Sequence, residues 1–176
     1  MLNVTKIWEA ARATSAAGSF FDPIYIGDEG FVDGATGSNN PINEMWIEAT
    51  DIWRTNVRWN LEDNLKCLVS IGTGIPTLKA FEDYAISIGN ALVAIATDNE
   101  KVAETFQKHH SRLFRDNRAF RFNALRGLED IGLEGPSKQG AIMAATRGYI
   151  QTENVANQLE ACAQLLRNRE CTSGFN

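Results

Sequence analysis

The strongest chemical signal in this chain is an aspartate that ends a short apolar run and is followed at once by small residues. Phe31-Val32-Asp33 leads into Gly34-Ala35-Thr36-Gly37. In α/β sheets, ligands bind outside the carboxyl ends of strands, which is where a working carboxylate belongs. Small residues there let backbone and substrate approach closely. Apolar neighbours give Asp33 the setting that a general base for a hydroxyl nucleophile requires. The same residue types also build a turn in which the Asp side chain caps nearby backbone. On the residues alone, both readings stand.

A base needs a hydroxyl to act on. Ala85-Ile86-Ser87-Ile88-Gly89 approximates Gly-x-Ser-x-Gly, but a nucleophile elbow joins a strand to a helix. The flanks Phe81-Glu82-Asp83-Tyr84 and Ala91-Leu92-Val93-Ala94 read as continuous helix. Ser70 precedes Gly72 but has Leu68 where the first glycine should stand. Neither serine meets the pattern. Gly72-Thr73-Gly74-Ile75-Pro76-Thr77-Leu78-Lys79 follows a strand and precedes a helix, yet its spacing matches no phosphate-binding loop. Pro76 also removes an N–H that a phosphate nest would use. His109 and His110 are adjacent without a third ligand at metal spacing, and read as the solvated end of a helix. Trp46, Trp53, Trp59 and Phe114 could face lipid, but aromatic residues at helical spacing more often pack a core. Arg112, Arg115, Arg118 and Arg121 could meet phospholipid headgroups, although Asp and Glu are scattered among them.

The elements that must position these residues alternate in type. Thr5 to Ala17 is rich in alanine, with Thr5 to cap its start and Gly18 to stop it. Ile7, Trp8, Ala11 and Ser15 fall on one stripe of this helix, suited to close packing on a sheet. Phe20 to Ile26 reads as extended, and Gly27-Asp28-Glu29-Gly30 as a turn. The next helix takes Asn40 as its cap and Pro41 as its first residue, with Ile42, Met45, Trp46, Ala49 and Trp53 on its buried face. Leu68-Val69-Ser70-Ile71-Gly72 has the continuous apolar character of a strand buried on both faces of a parallel sheet. Helices are predicted over 78–97 and 99–110, a late strand over Ala119-Phe120-Arg121-Phe122-Asn123, and two final helices over 139–150 and 153–169. Interleaved strands and helices make the class α/β. The weak candidate for a boundary is 132–140.

The order of these motifs resembles the patatin-like phospholipase family. Ile7 to Ala17 is similar to the helix that such enzymes carry before their catalytic aspartate, and Phe20-Phe21-Asp22-Pro23 follows at the expected interval. Phe31-Val32-Asp33-Gly34-Ala35 matches the family's Asp-Gly-Gly or Asp-Gly-Ala motif, with Asn39-Asn40-Pro41 after it. Leu68-Val69-Ser70-Ile71-Gly72-Thr73-Gly74, Arg121-Phe122-Asn123 and the 127–132 acidic segment resemble its fungal and multidomain members. The resemblance covers the first two-thirds of the chain well and the last third loosely. It implies the C-terminal portion of a three-layer α/β/α domain with additional C-terminal helices. Residues 1–46 would end the catalytic core and 47–176 form an extension packed with it.

The activity implied is hydrolysis of acyl esters in phospholipids or lysophospholipids by a Ser-Asp dyad. Asp33 is the proton acceptor, with Gly34 and Ala35 completing its motif, and an upstream glycine-rich loop offers N–H groups to the oxyanion. The dyad calls for no cofactor and no metal. The oxyanion loop and the Gly-x-Ser-x-Gly segment belong before the Trp8 helix, where seven residues stand. The chain is therefore expected to supply the base without the nucleophile, and to be inactive alone as part of a longer gene product. The alternatives are a natural interaction or dimerisation module, or a chain whose serine half comes from a partner.

Composition narrows the partners. With 176 residues, 44% hydrophobic and 22% charged, the chain can build one globular core. A net charge of −5 without a basic cluster argues against nucleic acid. It gives no standing attachment to anionic membranes, so membrane contact is expected to be transient and peripheral. No apolar run is long enough to span a bilayer, and the first residues do not read as a signal peptide. Cys67, Cys162 and Cys171 form no Cys-x-x-Cys pair and are expected to be reduced thiols of a cytoplasmic protein. Half of a sheet should leave an apolar face open to self-association.

Overall fold

A computed structural model describes residues 5–17, 21–54, 57–74, 86–124, 126–128, 131 and 138–167. The boundary candidate at 132–140, the predicted helix over 78–85, and Cys171 fall wholly or mostly outside these residues. Within them the architecture is mixed α/β with two small sheets.

Helix α1, Ile7–Ala13, is shorter than the sequence suggests. Lys6 stands at its cap in place of Thr5, with its N–H donating to the Glu9 carboxylate at 2.7 Å. At the other end the hydroxyls of Thr14 and Ser15 both turn back to the Ala11 carbonyl, which competes with continuing the helix. The stripe named from sequence is not the buried one. Ile7 is 92% exposed, and Ala13 and Ala16 point inward instead. Helix α1 packs on β1. Strands β1, Ile24–Ile26, and β2, Glu29–Phe31, form an antiparallel hairpin through a turn in which Gly27 takes φ +62°. A left-handed residue at that place suits glycine.

Helix α2, Ile42–Trp53, begins one residue later than its predicted start. The Asn40 side chain does not cap it; its amide donates to the Asn99 carbonyl at 3.0 Å, tying the loop to a distant helix. Of the predicted face, Ile42 is buried and Trp46 and Ala49 half-buried, while Met45 and Trp53 lie largely exposed. The short helix α3, Leu61–Asn64, is capped by Asn60, whose side chain accepts from the Glu62 N–H. It leads to strand β3, Leu68–Ile71.

One continuous helix, α4, Ile86–His109, replaces the two predicted there, followed by α5, Ser111–Arg115. Strand β4, Ala119–Phe122, then returns parallel to β3 in the register Leu68 to Ala119 and Ile71 to Phe122. A parallel pair needs such a long crossover, which α4 supplies. Helices α6, Gln139–Ile150, and α7, Glu153–Arg167, complete the described chain, with α7 against β4.

The core gathers Ile42, Leu68, Phe106, Leu113 and Ala119, with Trp46, Leu65, Val102 and Phe114 packed on it. The expectation that β3 is buried on both faces is corrected: Ile71 is 76% exposed and Val69 38%. Among the described residues β3 pairs with β4 alone, so its other edge has no strand beside it.

Candidate active site

Asp33 lies two residues beyond β2, not at the end of a parallel strand. The hairpin and α1 fix it from both sides. Its backbone N–H donates to the Ala16 carbonyl at 3.0 Å, which joins the end of the α1 region to the start of the motif. Its Oδ1 accepts from the Ala35 N–H at 2.8 Å, making Asp33 the cap of a short 3-10 turn, Gly34–Thr36. The turn reading of the motif is thus present in the fold. It occupies Oδ1 among the described residues, and it holds the half-buried carboxylate in one orientation. A Cβ built on Gly34 would meet nothing within 4 Å, so the space in front of the motif is open. Val32, expected to pack beside Asp33, is 59% exposed.

The loop continues to Asn39 and Asn40, which reach the rim of a cavity of about 270 Å³. This cavity lies at the carboxyl ends of β3 and β4, and Ile42, Ser70, Gly72, Arg121 and Asn123 contribute to its wall. Asp33 is not among its lining residues. A connected polar network forms its floor. Glu100 Oε1 accepts from Arg121 Nη2 and from the Asn123 amide at 2.9 Å. Arg121 Nη1 donates to Ser70 Oγ at 2.9 Å, and Asn123 Oδ1 accepts from the Gly74 N–H at 2.7 Å. The Tyr149 hydroxyl of α6 accepts from the Asn123 N–H at 3.0 Å. The bonds offset part of the cost of taking these groups from water, although Arg121 Nε is buried without a hydrogen-bond partner among the described residues.

These bonds settle what several residues do. Ser70 receives a hydrogen bond from a guanidinium and, among the described residues, has no histidine or carboxylate bonded to it. Ser87 lies in the first turns of α4, while 81–85 in front of it fall outside the described residues. Two of the four arginines of the basic stretch turn inward: Arg118 reaches the carbonyls of Glu62 and Leu65, and Arg121 holds Glu100. Arg112 is exposed and pairs with Asp63 at 2.7 Å on the surface. Arg115 is exposed.

His110 corrects the expectation of a solvated helix end. Its ring lies 4.2 Å from Trp46 and 4.4 Å from Phe106, centroid to centroid. Burial there lowers its pKa, against the opposing pull of Glu62 and with help from His109. Among the described residues, no group of three or more His, Cys, Asp or Glu could hold a metal ion. No described helix is long and apolar enough to cross a membrane.

The network around Glu100 and Asn123 was not foreseen from sequence. Its one visible trace is the two-residue spacing of Arg121, in β4, and Asn123, just after it.

Residues 1–46 match the model of the patatin-like phospholipase family. The mouse calcium-independent phospholipase A2-gamma is 26% identical over 172 residues, covering 95% of this chain and 20% of that protein. Its human counterpart is 25% identical over the same extent. Phospholipase A I of Arabidopsis thaliana is 31% identical over 153 residues, 84% of this chain and 11% of its own length. The chain therefore spans about a fifth or less of the curated relatives it matches. No solved structure matches it. Residues 1–46 thus match the patatin-like phospholipase family, and the chain is distantly related to both kinds of enzyme.

Proposed function

We propose that this chain carries the carboxylate base of a lipid acyl hydrolase and takes its nucleophile from outside these 176 residues. The observation that carries this reading is the Asp33-Gly34-Ala35 turn, in which the Ala35 N–H fixes one carboxylate oxygen beside open space. It lies in the segment that matches the family model. The second oxygen, Oδ2, would accept the proton of a serine hydroxyl as its Oγ attacks the acyl carbonyl. Backbone N–H groups of a glycine-rich loop would hold the oxyanion. The same carboxyl would return the proton to the departing alcohol, leaving an acyl-serine for water to hydrolyse.

The relatives are named phospholipases, which supports a phospholipid or lysophospholipid substrate. On this reading 1–46 close the catalytic core of a three-layer α/β/α domain, and 47–176 pack against it as an extension. The protein works in the cytoplasm and touches membranes transiently.

Complementation tests it. The chain is co-expressed with a segment bearing Gly-x-Ser-x-Gly and the glycine-rich loop of a patatin-like relative, and hydrolysis of a short-chain chromogenic ester is followed. Activity should appear with the pair and fall roughly 10²- to 10⁴-fold with Asp33→Asn. That variant keeps an oxygen able to cap the turn, so its melting should be nearly unchanged. Equal activity with and without the substitution would remove Asp33 from the chemistry.

The edge of β3 that has no strand beside it among the described residues, with exposed Val69 and Ile71, favours a second reading, a module that binds another chain without catalysis. Stable assembly with the serine-bearing segment but no hydrolysis would favour it.

A further inference from the structure

Two thiols that lie far apart in sequence meet in the fold. Cys67 Sγ and Cys162 Sγ are 3.9 Å apart across 95 residues of chain. Cys67 immediately precedes β3, and Cys162 sits in the buried face of α7 together with Val155, two turns earlier on the same helix. Both are free. Cys67 is partly accessible and Cys162 is 6% exposed.

A disulfide bond is about 2.0 Å long, so the sulfurs are about 2 Å from bonding distance, within reach of side-chain rotation and a small shift of α7. We propose that Cys67 and Cys162 form a reversible disulfide site, closed by a low-molecular-weight disulfide such as oxidised glutathione, which staples α7 to the start of β3.

The chemistry balances in two exchanges. The Cys67 thiolate attacks one sulfur of oxidised glutathione and expels a glutathione thiolate, leaving a mixed disulfide. The Cys162 thiolate then attacks the Cys67 sulfur and expels the second glutathione. The pair loses two electrons and two protons, and one glutathione disulfide becomes two thiols.

Accessibility sets the order, because Cys67 is the sulfur a small molecule can reach. Burial, and then the neighbouring Cys162, push the Cys67 thiol up to about 11. The thiolate is scarce at neutral pH, so the site answers sustained oxidation and is slow beside an activated cysteine. In a reducing compartment it rests open, as two thiols. Closing it ties a long loop of chain, which stabilises chiefly by restricting the unfolded state.

The full chain is incubated with excess oxidised glutathione at mildly alkaline pH, blocked with an alkylating agent, and mapped by mass spectrometry without reduction. A linked pair of peptides carrying Cys67 and Cys162, lighter by the two thiol hydrogens, is expected. The melting temperature should rise by roughly 5–15 °C relative to the reduced chain. Cys162→Ser should instead leave glutathione on Cys67 and no such rise. A wild-type map with Cys67 glutathionylated and Cys162 alkylated, or with Cys171 in the linkage, would overturn the proposal, whether or not the variant folds.

Discussion

Asp33 shows how one side chain can satisfy two descriptions. Its Oδ1 caps the Gly34–Thr36 turn, and that bond also orients the carboxylate, so the structural duty prepares the proposed chemical one. The sequence made the residue visible because Asp before Gly-Ala is a local pattern. It misplaced the residue because a parallel strand end and a hairpin end look alike over three residues. His110 was misread for the converse reason. Its surroundings, Trp46 and Phe106, include a helix 64 positions upstream that local spacing does not reveal. It has a measurable consequence. The folded protein holds His110 below the ordinary value of 6.5, so the unfolded chain binds more protons as pH falls through that region. The contribution to stability is therefore complete above about 6.5 and declines as pH drops below it toward the depressed value. Melting temperatures measured from pH 8 to pH 5 should fall less steeply for His110→Phe than for the wild type. Parallel curves would show that His110 titrates alike in both states.

At the scale of elements, the strands β3 and β4 and the helices α6 and α7 were legible, because each carries its own periodicity and end signals. Burial was less so. A run such as Leu68 to Ile71 announces a strand but not how many neighbours cover it, and Ile71 proves open to solvent. The turn after β3 was read from its glycines, and the structure supplies the reason for them. Gly74 has φ +91°, and a Cβ there would come within 2.9 Å of Leu128 Cδ1 and 3.0 Å of the Ala124 carbonyl oxygen. Its N–H is the donor that holds Asn123, and through Asn123 the Glu100 and Arg121 pair. Gly74→Ala should cost about 1–3 kcal/mol, from left-handed strain and a backbone contact that cannot swing away. Urea unfolding should show that loss, with faster hydrogen exchange at the ends of β3 and β4. Wild-type stability in the variant would mean that this turn does not tie the two strands to the network.

For the whole molecule, the two small sheets of the described residues fit part of a larger α/β domain, as does a family match confined to 1–46. Exposed Ile47, Ile52, Trp53 and Val57 add apolar surface on and just beyond α2. Large apolar side chains left in water favour covering by another chain, which suits either the serine-bearing half or a second copy. Composition alone indicated a globular chain and argued against a nucleic-acid partner, whereas the arrangement of the two small sheets depends on contacts between distant segments. On the proposed function, these 176 residues hold a base and no activated serine. A fluorophosphonate probe reads that directly, since it bonds only to a nucleophile with a working base and oxyanion site. Incubated with the purified chain, the probe should label no serine, Ser70 and Ser87 included. Stoichiometric labelling of any serine in the chain would show that these residues already hold a complete nucleophilic site.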